Sequence, residues 1–247
     1  MLLKALKSSP RRFFDLIIPP QCLLCYTYLF EEDGLCADCW KKMTFLSSEA
    51  ICKCCGYPFD YTVGIEILCG KCARQKPSFH QARSVFVYDD NCRELILRFK
   101  HGDAVYMVPT FTNWLSRVYK ESKWEADLMI PVPLHWSRLL YRHYNQSALL
   151  IRRLKKSIGL PYAMNILVRH RRTPSQGQTL TNRFQNVKGA FMIKSKHTSI
   201  VAGKSILLVD DVYTSGATLT TCADVLLKAG AKNIFALSLA RVEKHFK

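Results

Sequence analysis

Residues 204–241 read KSILLVDDVYTSGATLTTCADVLLKAGAKNIFALSLAR. An apolar run, Ile206 to Val209, delivers two adjacent carboxylates, Asp210 and Asp211; Thr214-Ser215-Gly216-Ala217-Thr218 then turns into a helical pattern that ends at Gly230, and a second apolar run follows. Strand, loop, helix, cap and strand in this order are the unit of a parallel sheet covered by helices, where ligands sit at the carboxyl ends of the strands. The backbone N–H groups of the turn, the hydroxyls of Thr214, Ser215 and Thr218, and the positive end of the helix form a pocket for a phosphate monoester. Two acids just before it suit the vicinal hydroxyls of a sugar phosphate; the plainer alternative is an acid pair that only caps the turn. The chain contains neither G-x-x-x-x-G-K-[ST] nor G-x-G-x-x-G, which counts against nucleotide hydrolysis and dinucleotide binding.

Upstream, the same texture extends back to about residue 82. SVFVYD (84–89) alternates like a strand, CRELILRFK (92–100) has helical spacing, and VYMVPTFTNWLSRVYK is helical in spite of Pro109. DLMIPVPL (127–134) is a buried strand running into a loop, and NQSALLIRRLKKS (145–157) is a helix with an apolar stripe and a basic face. The expected fold is α/β, a parallel sheet with helices on both faces over residues 81–247. Trp114, Tyr119 and Trp124 are expected in the core or at a seam, and His101 and His143 as structural histidines.

Residues 1–80 are of a different kind. Cys22, Cys25, Cys36 and Cys39 form C-x2-C, ten residues, C-x2-C; Cys52, Cys55, Cys69 and Cys72 repeat the pattern with a thirteen-residue spacer. A two-residue gap lets a tight turn aim both thiolates at one ion, and two such knuckles complete a tetrathiolate zinc site. So short a segment holds too little apolar surface for its own core, and zinc supplies roughly 10 kcal/mol or more per site. Two structural zinc ions are therefore expected after an N-terminal helix. Four thiolates close each coordination shell, which excludes a zinc hydrolase. Cys54 lies inside the third knuckle and competes with Cys55; Cys92 and Cys222 read as buried thiols. Disulfides are the weaker reading, because no secretion signal accompanies the cysteines, and a reducing cytoplasmic location follows.

The 36 basic and 19 acidic residues are unevenly placed. Residues 1–80 carry +2 (10 against 8) and residues 81–247 carry +15 (26 against 11); no Asp or Glu occurs between Asp127 and Asp210, where fourteen Lys and Arg fall. Such a stretch faces a polyanion: nucleic acid, a phosphorylated metabolite or an acidic membrane surface, with a merely solvated face as the alternative. No run reaches the roughly 18 apolar residues of a membrane span.

With these residues in view, VDDVYTSGAT resembles the phosphoribosyl pyrophosphate (PRPP) motif of type I phosphoribosyltransferases. More narrowly, LIIPPQCLLC, FKHGD, PVPLHWSRLLYRHYNQ, TPSQ..TL...R..NVKGAF and the terminal strand-helix-strand resemble the ComF family of competence-associated, phosphoribosyltransferase-like proteins, nearly end to end. The resemblance implies that Asp210 and Asp211 hold the ribose hydroxyls and that Thr214, Ser215, Gly216, Ala217 and Thr218 hold the 5′-phosphate. Mg²⁺ bridges ribose and pyrophosphate, and Pro131-Val132-Pro133 opens the pyrophosphate loop. Arg138, Arg142, Asn145 and Gln146 line the same cleft, and Arg169 to Phe191 supplies a mobile hood. Relatives commonly carry glycine where this chain has His143. The implied activity is phosphoribosyl transfer to an unidentified acceptor, in the service of natural transformation. The alternatives are a single-stranded-DNA-handling module without catalysis and a zinc adaptor for helicase or DNA-uptake proteins.

Overall fold

The computed structural model describes residues 19–29, 34–61, 66–101, 104–171 and 180–243, the side chains of 180–183 excepted. The N-terminal helix expected before residue 19, the Gly102-Asp103 end of FKHGD and residues 172–179 of the hood segment lie outside the described residues.

The chain divides into two compact units, Met1–Met43 and Thr44–Lys247. The first holds one zinc knuckle pair. Cys22 N–H donates to Thr27 O (2.8 Å), Tyr26 N–H to Cys22 O (2.9 Å) and Leu23 N–H to Gly34 O (2.7 Å), and the short helix α1 (Ala37–Lys41) starts on Cys36.

The second unit opens with the same device. Cys52 N–H donates to Tyr57 O (2.7 Å), Gly56 N–H to Cys52 O (2.9 Å) and Lys53 N–H to Ile67 O (2.9 Å), before helix α2 (Gly70–Arg74). The sequence places the domain boundary at 80/81, whereas the compact units divide at 43/44. The physical reason is burial. Cys52, Cys54, Cys55, Cys69 and Cys72 lie in one apolar cluster with Phe79, just before the first strand, and Ile206, Leu208 and Tyr213 of the sheet. Ala82 N–H donates to Cys54 O (2.7 Å) and Arg83 Nη1 to Lys53 O (3.0 Å), so the second ribbon is bonded to the first strand as well as packed on it.

Strands β1 (Gln81–Val87), β2 (Leu128–Pro131), β5 (Ser205–Tyr213) and β6 (Asn233–Arg241) form a parallel sheet in the order β1-β6-β5-β2. The central strands align Leu207 with Phe235 and Val209 with Leu237. Both faces are covered, which is why these strands read as continuous apolar runs. Ile206, Leu208, Ile234 and Ala236 face helix α9 (Ala217–Lys228) and the second ribbon. The intervening residues point the opposite way, to the side carrying α4 (Val108–Glu121) and α6 (Gln146–Ile158), which pack on each other and on the sheet.

Helix α3 (Asp90–His101) follows β1, and a 3₁₀ turn, Val105–Met107, leads into α4. Pro109 sits in the first turn of α4, where its missing N–H would have no intrahelical partner, so it starts the helix rather than interrupting it. Trp114 and Trp124 are buried, as expected of core residues. Helix α5 (Trp136–Arg142) precedes α6; a two-stranded antiparallel pair, β3 (Leu167–Arg169) and β4 (Phe191–Ile193), flanks α7 (Leu180–Val187), and the four-residue α8 (Thr198–Val201) precedes β5.

Tyr26 and Gly56 occupy equivalent turns of the two ribbons, both with positive φ (63° and 68°). Tyr26 is half exposed, whereas a Cβ on Gly56 would lie 2.7 Å from Ala82 O. Replacing Gly56 with Ala should therefore cost roughly 2–3 kcal/mol, from the left-handed backbone and the clash with β1. Tyr26→Gly should be nearly neutral. Thermal and denaturant unfolding of the two variants checks the contrast.

Candidate functional site

The carboxylates lie within strand β5 rather than beyond it. The ladder to β6 continues through Asp210↔Ser238 and Val212↔Ala240 to Tyr213↔Arg241, so the turn is only Thr214 to Gly216. Asp210 therefore projects among packed neighbours. Ser147 Oγ donates to its Oδ1 (3.4 Å) and so does Asp211 N–H (2.9 Å). Desolvation by burial, and after it the neighbouring Asp211 charge, push the Asp210 carboxyl up to about 7. Asp211 Oδ2 pairs with Lys100 Nζ at 3.1 Å, both side chains being largely shielded from solvent.

The turn that follows has the form of an anion cradle. Thr214 is exposed, Ser215, Gly216 and Ala217 are buried, and Thr218 is half-buried at the start of α9. Gly216 has φ 80°, and a Cβ there would meet the Tyr213 ring, 2.9 Å from Cζ. Ser215 Oγ accepts from Ala217 N–H (3.4 Å), which braces the turn. The N-terminus of α9 adds its positive end.

The structure sorts the remaining cleft residues. Asn145 is committed to the scaffold: its Oδ1 caps α6 by accepting from Ser147 N–H (3.0 Å), and its Nδ2 donates to Val132 O (3.1 Å), bracing the Pro131-Val132-Pro133 loop. Gln146 is buried and donates to Lys100 O (3.3 Å), while Tyr144 Oη donates to Phe99 O (3.0 Å). These two residues set the end of α3 from which Lys100 reaches Asp211. Arg138 and Arg142 lie one turn apart on α5. Burial, and then the Arg138 charge, press the pKa of Arg169 down. Partial desolvation, followed by the charges of Arg142 and Lys100, does the same to His101. Arg169 thus stands within electrostatic reach of both Asp210 and Arg138, and Lys100 within reach of both acids. His143 has φ 63°, the left-handed backbone that favours glycine, and it ends α5 in that conformation. A cavity of about 400 Å³ has walls that include Pro131, Pro133, His143, Asn145, Arg152 and Arg169; neither acid and no residue of the 214–218 turn lines it. Arg152 therefore turns from the basic face of α6 into a wall of this cavity.

Among the described residues two groups of metal-ligating atoms stand together, Cys22, Cys25, Cys36 and Cys39, and Cys52, Cys55, Cys69 and Cys72, with the sulfurs of each group within 4.8 Å of one another. Cys25 and Cys36 sulfurs are 3.6 Å apart, and Cys55 and Cys69 3.7 Å. Four thiolates about one Zn²⁺ at about 2.3 Å would stand about 3.8 Å apart, so both sets fit the ion. Backbone N–H groups support the sulfurs, from Cys36 to Cys22 (3.3 Å) and from Cys69 to Cys52 (3.2 Å). Cys54 is outside the set of four, although its thiol lies against that of Cys72, and its carbonyl accepts from Ala82 N–H.

The comparisons agree with this division of labour. The double zinc ribbon domain family matches residues 13–74 and the phosphoribosyl transferase domain family residues 145–245. Competence protein F of Haemophilus influenzae is 31% identical over 228 residues, covering 90% of this chain and 96% of that protein. The chain belongs to the ComF family. Competence protein ComFC of Bacillus subtilis is 28% identical over 85% of each chain, and DNA utilization protein YhgH of Salmonella typhimurium is 27% identical over 92% of this chain and 99% of its own. This ComF-family chain thus combines a double zinc ribbon with a phosphoribosyltransferase fold.

Sequence reasoning missed Lys71, Lys100, Ser147 and Arg241 as residues of the site. Lys100 stands in the quoted FKHGD motif, which was its only signal. The other three come to the site from separate parts of the chain.

Metal analysis of the purified protein should give two zinc ions per chain. Cys55→Ser should lower this to one, and Cys54→Ser should leave two, because the Cys55 sulfur is the one that closes the mutually adjacent set with Cys52, Cys69 and Cys72.

Proposed function

We propose that this ComF-family protein binds Mg·PRPP at Asp210 to Thr218 and transfers its phosphoribosyl group to an acceptor, in the handling of incoming DNA in a reducing cytoplasm. The observation that supports this best is one juxtaposition: two carboxylates at the end of a central strand, then at once a buried, glycine-hinged turn on a helix N-terminus. The names of the relatives, competence and DNA utilization proteins, support the cellular role.

The ammonium of Lys100 beside Asp211 Oδ2 marks that carboxylate edge as a place that favours a cation, and oxygen ligands of this kind fit Mg²⁺. When bound with PRPP, Mg²⁺ supplies neutralisation of the departing pyrophosphate. The chain's own residues do the rest. Asp210 and Asp211 accept hydrogen bonds from the ribose hydroxyls, and the 214–218 turn holds the 5′-phosphate. The cations of α5 and Arg169 face the pyrophosphate as the C1–O bond breaks and its electron pair leaves with that group. An acceptor lone pair then attacks the oxocarbenium-like C1. No covalent nucleophile is needed, and catalysis rests on positioning and fixed charge.

Isothermal calorimetry with Mg·PRPP tests this. Wild type should bind, and the double Asp210→Asn, Asp211→Asn variant should bind at least about tenfold more weakly, since charged hydrogen bonds contribute roughly 1.5–3 kcal/mol each. Gly216→Val should also lose binding, through its clash with Tyr213, and Lys228→Ala at the exposed end of α9 should not. Because the Asp210 carboxyl is raised to about 7, affinity should climb between pH 6 and 8 as it ionises. In the double variant only the dependence of the ligand's own phosphate should remain. Equal binding by wild type and the double variant refutes the assignment.

A second reading is favoured by α5. Trp136 (65% exposed) and Tyr141 (74%) stand out from this helix alongside Arg138 and Arg142. Exposed aromatic faces beside guanidinium groups are a platform on which single-stranded nucleic acid stacks, about 1–3 kcal/mol per base. Fluorescence anisotropy with oligo(dT) should show binding that falls steeply with salt. Trp136→Ala should weaken it at constant salt slope, whereas Arg138→Ala should flatten the slope; tight binding unaffected by either change would remove α5 from the interface.

A further inference from the structure

The second zinc ribbon reaches into the phosphate turn. Lys71, in helix α2 between the ligands Cys69 and Cys72, donates from Nζ to Ser215 O at 2.6 Å, across 144 residues of sequence. The same ammonium lies 5.2 Å from the centre of the Phe184 ring on α7. Lys71 is half-buried, and the carbonyl it holds belongs to a buried residue.

A trans peptide points its C=O and N–H in opposite directions. The bond from Lys71 draws the Ser215 carbonyl toward the ribbon, and so turns the Gly216 N–H away from it. Gly216, with φ 80°, is the residue whose backbone lets the turn take this form before α9, and an N–H presented at a helix N-terminus is an anion donor. The other side of the turn is tied to the same ribbon. Arg241, buried at the end of β6, donates to Cys55 O (2.6 Å) and to Cys55 Sγ (3.2 Å), and its guanidinium stacks 4.0 Å from the centre of the Tyr213 ring. Tyr213 is the floor against which Gly216 rests.

We propose that Lys71 is a positioning residue of the sugar-phosphate site: the second ribbon holds the Ser215–Gly216 peptide in its anion-binding orientation, and the zinc knuckle is part of the binding site as well as a folding staple. This rests on the sugar-phosphate reading of the turn. The ligand it serves is a phosphate monoester on a ribose, and the probe is ribose 5-phosphate, which carries the 5′-phosphate without the pyrophosphate.

Calorimetry with ribose 5-phosphate on full-length, zinc-loaded protein is the test, with zinc content and thermal midpoint measured on every variant. Lys71→Met, or Lys71→Gln should the first fold poorly, is expected to bind about tenfold more weakly while retaining two zinc ions. Lys71→Arg, which keeps a donor of the same charge, is expected to recover most of the affinity, and Lys76→Met, an exposed lysine of the same ribbon, to match wild type. A merely structural lysine would lower the thermal midpoint without this pattern of loss and rescue. If wild type binds ribose 5-phosphate and the Lys71→Met variant binds it equally, or if Lys71→Arg fails to restore a loss, the positioning role is wrong and the phosphate turn stands without it. If wild type does not bind ribose 5-phosphate or Mg·PRPP, the sugar-phosphate reading falls and this inference with it.

Discussion

The guanidinium of Arg241 is the junction on which this architecture depends. It is buried at the last residue of β6, bonded to the carbonyl and sulfur of Cys55 and stacked on the Tyr213 ring. A buried cation is tolerated only where charge and hydrogen bonds meet it. A zinc-binding thiolate supplies the charge, a backbone carbonyl supplies an acceptor, and an aromatic face supplies the rest. One side chain thereby fixes three things relative to each other: the second ribbon, the end of the central strand pair, and the floor of the phosphate turn.

The double ribbon is consequently two devices of different use. Their turns repeat hydrogen bond for hydrogen bond, yet the first belongs to a compact unit of its own and the second is built into the core of the sheet. Gly56 against Ala82 and Tyr26 in the half-exposed equivalent place express that difference at a single position. A small cysteine-rich segment gains from zinc the rigidity that its apolar surface could not provide. In the second ribbon that rigidity is passed to the strand end where the acids stand.

Electrostatics at the site work by opposition. Ser147 and Arg169, both from the acid-free stretch between Asp127 and Asp210, reach Asp210. Burial raises the Asp210 carboxyl, Lys100 offsets the charge of Asp211, and burial, followed by the Arg138 charge, holds Arg169 below its ordinary range.

Much was legible in the chain itself. Apolar runs on either side of a helical pattern announced β5, α9 and β6, and the paired C-x2-C spacings announced both metal sites, because these features are set by local backbone geometry and by the reach of two thiolates across one turn. The acid pair and its turn were legible for the same reason, being contiguous. Tertiary structure alone decided that the second ribbon belongs with the sheet and that Asn145 caps α6 while bracing the Pro131-Val132-Pro133 loop. It also brought Lys71 to Ser215, Lys100 to Asp211 and Arg241 to Cys55. These partners are separated by about 110 to 190 residues, and no periodicity or spacing rule spans such intervals. Only the packing of one shared core specifies which distant side chains meet.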